Sequence, residues 1–138
     1  MEGTFTIKGF NREFILKPFL ELVEVTDFMG KVMHNIRLSF AYDEDGCEQP
    51  FATFTTNFGE FIGMKNSAYI DTNNCWFSDE ILQTGIAEDT GLYKFSGMCK
   101  YPLWQFKEEF LKSVNEDLYL QYSKEYDEYL SEYAPSEG

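Results

Sequence analysis

Val32-Met33-His34-Asn35-Ile36-Arg37-Leu38-Ser39-Phe40-Ala41-Tyr42 alternates with a period of two, and this run decides the class of fold. Val32, His34, Ile36, Leu38, Phe40 and Tyr42 face one way, Met33, Asn35, Arg37 and Ser39 the other, which predicts a strand with one face in a core and the other open to water. Downstream, the acidic turn Asp43-Glu44-Asp45-Gly46 leads to Pro50 and a β-rich run from Phe51 to Thr56, an antiparallel partner. Upstream, Gly30 marks a turn over 27–31. Before it, a strand from Glu13 to Val25 carries Phe14, Leu16, Leu20 and Leu22, and Pro18 places part of it at an edge or a bulge. Thr4 to Lys8 alternates and meets Gly9 and Asn11-Arg12, the pattern of a hairpin. The expectation is an antiparallel sheet of four or more strands.

Further along, 57–66 reads as a loop with Phe58, Gly59, Phe61 and Gly63. Ala68 to Asp71 is a short strand end, and Asp71-Thr72-Asn73-Asn74 is a cluster of turn-setting side chains. Ser78 suits a helix N-cap, with Asp79 and Glu80 in the first turn, Ile81 and Leu82 buried and Gly85 as the stop. Leu92 to Phe95 offers one more strand. Tyr101-Pro102 then opens a C-terminal helical region in which Leu103, Phe106, Phe110 and Val114 share a face. Ser113-Val114-Asn115-Glu116 matches a capping box, so the region is expected to break near Ser113. The class is α+β: a domain over 1–112, an acidic, tyrosine-rich helix over 113–133 and a loose tail over 134–138.

The chain of 138 residues carries 24 Asp and Glu against 11 Lys and Arg, a formal charge of −13. Such a surface repels nucleic acid, and the cations are scattered, so a basic protein is the expected partner and direct nucleic-acid binding is not. Cys47, Cys75 and Cys99 form no C-x-x-C pair and predict neither a disulfide framework nor a zinc site. The N-terminus lacks a signal-peptide pattern and no apolar run is long enough to span a bilayer, so the expected location is the cytosol, away from membranes.

His34 is the only histidine, and its place in the strand reads as a satisfied structural residue rather than a catalytic base or metal ligand. Asp71, Asn73 and Asn74, with Asp89, lack the spacing of a calcium loop and read as turn chemistry. Glycine-rich phosphate-binding patterns are absent. Hence no catalytic residue, cofactor or metal is expected.

The helix after Ser113 carries the candidate binding residues. Tyr119, Tyr122, Tyr126, Tyr129 and Tyr133 recur at intervals of three and four, with Leu118 and Leu130 at the edges of their stripe. Glu116, Asp117, Glu125, Asp127, Glu128 and Glu132 lie outside it. The stripe has three readings: packing on the chain's own sheet, a self-association seam that makes a homodimer of a monomer, or a partner-binding face. From Lys107 to Tyr133 there are eight acids and three lysines, net −5. Over a helical length of roughly 40 Å that is about one charge per 8 Å, against about one per 1.7 Å for duplex DNA. A nucleic-acid mimic would therefore need to recruit further acids, such as Asp43, Glu44 and Asp45 with Glu48, or Glu21 and Glu24, onto the same side.

The segments Gln49-Pro50-Phe51-Ala52-Thr53-Phe54-Thr55-Thr56-Asn57, Asp71-Thr72-Asn73-Asn74, Thr90-Gly91 and Ser96-Gly97-Met98-Cys99-Lys100-Tyr101-Pro102 resemble a family of small domains of unknown function carried on conjugative elements and plasmids of Gram-positive bacteria. The resemblance covers roughly residues 4 to 110 and leaves the acidic helix as an extension. It implies a mobile-DNA setting, in which small acidic proteins blunt host restriction or CRISPR nucleases, and it supplies no catalytic residues. The expected function is a non-enzymatic inhibitor that occupies the basic nucleic-acid surface of a host defence nuclease. The alternative is a structural or regulatory protein of the element acting through the tyrosine seam.

Overall fold

A computed structural model describes residues 4–133. Strands β1 (Phe5–Gly9), β2 (Arg12–Thr26), β3 (Val32–Glu44) and β4 (Cys47–Thr53) form a four-stranded antiparallel sheet in sequence order. The turn between β1 and β2 is made by Phe10 and Asn11, both at positive φ (53° and 63°), the two-residue geometry whose twist matches the flanking strands. Gly9 is required by a close approach: a Cβ there would lie 2.5 Å from the Trp76 ring, which rests on the backbone of β1. Pro18 is paired with Phe40 just past the last β1–β2 pair, Phe5 with Leu16, so its missing donor falls where β1 no longer covers β2.

The second sheet was not visible in the alternation. At Phe54 the chain leaves β3: its N–H still donates to the Leu38 carbonyl at 2.8 Å, but its side chain is fully buried and the next residues begin another sheet. That sheet comprises β5 (Thr55–Thr56), β6 (Ser67–Ile70), β7 (Ala87–Ser96) and β8 (Cys99–Phe106), in the antiparallel order β5-β6-β8-β7. The helices are α1 (Ser78–Gln83), α2 (Glu108–Val114) and α3 (Glu116–Tyr133). The fold is α+β, with two four-stranded sheets where one was expected.

Strand β8 corrects the expectation of a helix from Pro102. The spacing of Leu103, Phe106 and Phe110 fits a helix, but Leu103 and Trp104 are both buried although adjacent, which a strand covered on both faces achieves. Trp104 pairs with Ala68 on one side and Asp89 on the other, so β8 is central. The break expected near Ser113 is present, at Asn115. The Oδ1 of Asn115 accepts from the N–H of Leu118, whereas the Ser113 hydroxyl donates back to the Phe110 carbonyl; Asn115 is the cap of α3. Likewise Ser78 is the first residue of α1 and makes no cap bond. The tail over 134–138 lies outside the described residues.

One core joins both sheets and all three helices. Ile7, Leu16, Ile36 and Leu38 meet Phe54, Ile70, Trp104 and Phe106, with Ile81, Phe110 and Leu111 from the helices. Its centre is aromatic: Phe54 lies edge-on to Phe40 (5.2 Å) and Trp104 (5.4 Å) and stacks on Phe77 at 5.8 Å. Tyr119, Tyr122 and Tyr126 belong to the same core, so α3 is part of the domain's packing and not an appendage.

Candidate functional site

Helix α3 is fixed by its tyrosines. Tyr119, Tyr122 and Tyr126 are 1%, 3% and 2% exposed, which closes them to any partner or self-association seam and leaves core packing as their role. Their mutual ring distances are 6.1 and 5.9 Å. Asn66, at φ 66°, is the anchor beneath them: its N–H donates to the Tyr122 hydroxyl at 2.8 Å, and its Oδ1 accepts from the Tyr119 hydroxyl at 2.9 Å. Its carbonyl accepts from Phe106 of β8, so the same residue ties α3 to the second sheet. Tyr129 is half-buried; its hydroxyl donates to Asp27 in the β2–β3 turn at 3.0 Å and its ring meets Phe61 at 4.9 Å. The side chain of Tyr133 lies outside the described residues.

Burial pushes the Tyr126 hydroxyl up to about 12, with Tyr129 adding to the shift. Burial raises Tyr122 further, against the opposing hydrogen bond from Asn66. Folding therefore favours both neutral phenols, a contribution fully present below the ordinary tyrosine value of 10 and lost as pH climbs from there through 12. Urea unfolding curves should hold their midpoint up to pH 10 and fall steeply above it, and absorbance titration should show Tyr122 and Tyr126 among the tyrosines that ionise late.

The acids around α3 divide into neutralised and open groups. Glu125 holds His34, whose Nδ1 lies 3.1 Å from both carboxylate oxygens and must carry the donated proton. This pair joins α3 to the start of β3 and gives the lone histidine a structural partner. Asp127 binds Lys65 at 2.9 Å and Glu132 binds Lys31 at 3.4 Å, both at the surface and open to screening by salt. Glu116, Asp117 and Glu128 are exposed and form no ion pair among the described residues. Glu24 pairs across β2–β3 with His34, so it shares the face on which α3 lies and extends the acidic patch.

The other anticipated acids are elsewhere. Asp43, Glu44 and Asp45 form the tip of β3–β4, nine or more residues past His34, a separation of roughly 30 Å along the strand. Glu44 is engaged there with Arg12 at 3.7 Å, and Glu21 turns to the opposite face, where it accepts two bonds from Arg37. The expected partner-binding set is therefore divided into two patches, one on α3 with Glu24 and one at the β3–β4 tip.

Among the described residues no group of three or more His, Cys, Asp or Glu is placed to hold a metal ion. Asp71 organises its own turn: its carbonyl accepts from Asn74 and Cys75 and its Oδ2 from the Asn74 amide. The Cys75 thiol is pushed up to about 12 by burial, with Asp71 adding to the effect, which makes it unreactive. A cleft of about 260 Å³ opens between the 57–64 loop and the second sheet, lined by Asn35, Phe58, Phe61, Ile62, Tyr69 and Leu103 among others. Its buried polar group, Asn35, is already committed. The Asn35 amide donates to Asn57 Oδ1 and the Glu60 carbonyl, and its Oδ1 accepts from Ile62 N–H. Asn35 escaped the sequence reading because alternation put it on a face expected to be wet; the loop that covers it carries no periodic signal.

These features define an α+β domain whose displayed element is a helix docked by tyrosines, with acids on its outer side. The chain belongs to the family described as domain of unknown function DUF4313, whose model matches residues 22–128. The match reaches well into α3, so the acidic helix is part of the family domain and not the extension that the resemblance over roughly 4 to 110 implied. No curated protein and no solved structure matches the chain significantly. No helix among the described residues is long and apolar enough to cross a membrane.

Proposed function

We propose that the protein is an acidic binding module that inhibits a nucleic-acid-processing defence enzyme, a CRISPR or restriction nuclease, by covering its basic nucleic-acid surface on behalf of a mobile element. The reading rests on one observation: buried tyrosines hold α3 rigidly, so that the open carboxylates Glu116, Asp117 and Glu128, with Glu24 beside the helix, project from a preformed element. Preformed charge binds without the cost of ordering a flexible tail, and a net charge of −13 steers the encounter with a cationic channel. The patch carries fewer charges than a duplex of the same length. It is suited to blocking part of a channel and not to copying an extended nucleic acid.

Triple reversal of Glu116, Asp117 and Glu128 to lysine is expected to weaken binding to such a nuclease at least about a hundredfold at low salt and to leave the fold intact, since all three are exposed. Affinity of the wild type should fall steeply as salt rises. Calorimetric or interferometric titration against a panel of purified CRISPR and restriction nucleases checks both. Absence of binding at low salt across the panel, or binding indifferent to the reversal, would sink the reading.

A further inference from the structure

The β7–β8 hairpin differs in surface chemistry from the rest of the molecule. Between Thr90 and Lys107 the chain has no Asp or Glu but has Lys94, Lys100 and Lys107, in a protein of net charge −13. Along the same hairpin Leu92, Tyr93, Phe95 and Met98 are 54%, 51%, 62% and 101% exposed. Register pairs Tyr93 with Pro102 and Phe95 with Lys100, which places the two aromatic rings and Lys100 on one face. The rings meet edge-on at 5.4 Å, and the Lys100 ammonium lies 4.1 Å over Tyr93. The opposite face is occupied: Tyr101 packs on Phe58 at 5.3 Å, and Lys94 is held by Glu60 at 2.7 Å. β7 ends its sheet, so its outer edge presents backbone donors and acceptors that no strand among the described residues pairs.

We propose that this hairpin is a self-association surface, in which β7 pairs antiparallel with β7 of a second copy about a two-fold axis near Lys94. That register sets Tyr93 of one protomer against the partner's Phe95, twice, and joins the two second sheets edge to edge. The open strand edge beside exposed rings fits a second copy, and electrostatics tolerates one at this surface. Two chains of −13 repel wherever acids face acids, and this is the longest stretch of sequence without one. The Lys94 ammonium groups that meet at the axis are each partly neutralised by their own Glu60. A nucleic acid or an anionic membrane would face the chain's overall negative field and would leave the strand edge unused.

Tyr93, Phe95 and Met98, together with the paired strand edges, offer roughly 500 Å² per copy, so about 1,000 Å² would be buried in total, at the lower limit of specific interfaces. The dimer is accordingly weak, with a dissociation constant between about 10 µM and 1 mM. Added salt strengthens it by screening the repulsion, opposite in sign to the nuclease binding proposed above, so the two readings fail independently.

Sedimentation equilibrium of the full chain at several concentrations and salts tests the proposal. The expected result is a monomer–dimer equilibrium that tightens with salt and that Phe95→Lys weakens at least about tenfold, with the near-ultraviolet circular dichroism of the monomer retained. In a Cys47→Ser background, Lys94→Cys should cross-link under mild oxidation much faster than Glu88→Cys, because directly opposed strand residues have Cα atoms about 5 Å apart. A monomer throughout, a dimer indifferent to Phe95→Lys, or equal cross-linking at the two positions would overturn the proposal.

Discussion

Tyr122→Ala should cost roughly 3–5 kcal/mol of folding stability, a large part of what a domain of this size possesses. The ring is buried between Tyr119 and Tyr126, and its hydroxyl is the acceptor for the Asn66 N–H at 2.8 Å. Removing it opens a cavity under the middle of α3 and strands the amide of a residue held at positive φ. Tyr122→Phe separates the two effects. It keeps the packing and loses only the acceptor, for which about 1–3 kcal/mol is expected. Urea unfolding of the two variants gives the comparison, and equal losses would show that the hydroxyl, not the ring, holds the helix. The Tyr122→Phe variant should also lose part of the alkaline instability, because the phenol held furthest above the ordinary tyrosine value is gone. If α3 carries the functional acids, Tyr122→Ala should weaken partner binding even where the protein remains folded, since Glu116, Asp117 and Glu128 lose their common scaffold.

How far the residues announce this structure depends on whether a signal is local. The strand from Val32 to Tyr42, the turn at Gly9 to Asn11, the short helix before Gly85 and the interruption near Ser113 to Asn115 all follow from spacing and capping chemistry within a few residues. What escaped depends on contacts between distant parts. Whether Phe54 continues one sheet or begins another is decided by Phe77 and Trp104, which it meets in space. β8 imitates a helix because a strand buried on both faces loses its alternation. The tyrosine stripe was legible as a stripe, yet its three readings could be separated only by what lies under it, namely Asn66 and Phe61. The acids were equally plain in the sequence. Their division into an α3 patch with Glu24 and a remote tip at Asp43 to Asp45 follows from strand length and register, which composition does not carry.

Asn35 is the position at which this limit has the largest energetic consequence. It is 3% exposed on the face of β3 that alternation assigns to water, and it spends both donors and its acceptor on three points of a single loop. That loop also reaches β2, where Gly59 and Phe61 bond Thr26, and it supplies the Phe61 ring that packs on Tyr126 at 5.3 Å. The amide therefore couples the first sheet, the loop and α3. Asn35→Ala should cost about 2–4 kcal/mol, because it leaves the Glu60 carbonyl and the Ile62 amide unpaired beside a void. Asn35→Asp should cost more at neutral pH although it is nearly isosteric, since a carboxylate would then confront the Glu60 carbonyl and Asn57 Oδ1 without a proton to donate. Its deficit should shrink as pH falls and the carboxyl regains one donor, whereas the alanine variant's deficit should not respond in that way. Hydrogen exchange locates the effect: in both variants protection should be lost first across the loop and the C-terminal half of α3, while the β1–β2 hairpin keeps its own. Uniform loss of protection across the chain would show that the loop has no separate stability and that Asn35 is simply part of the global core.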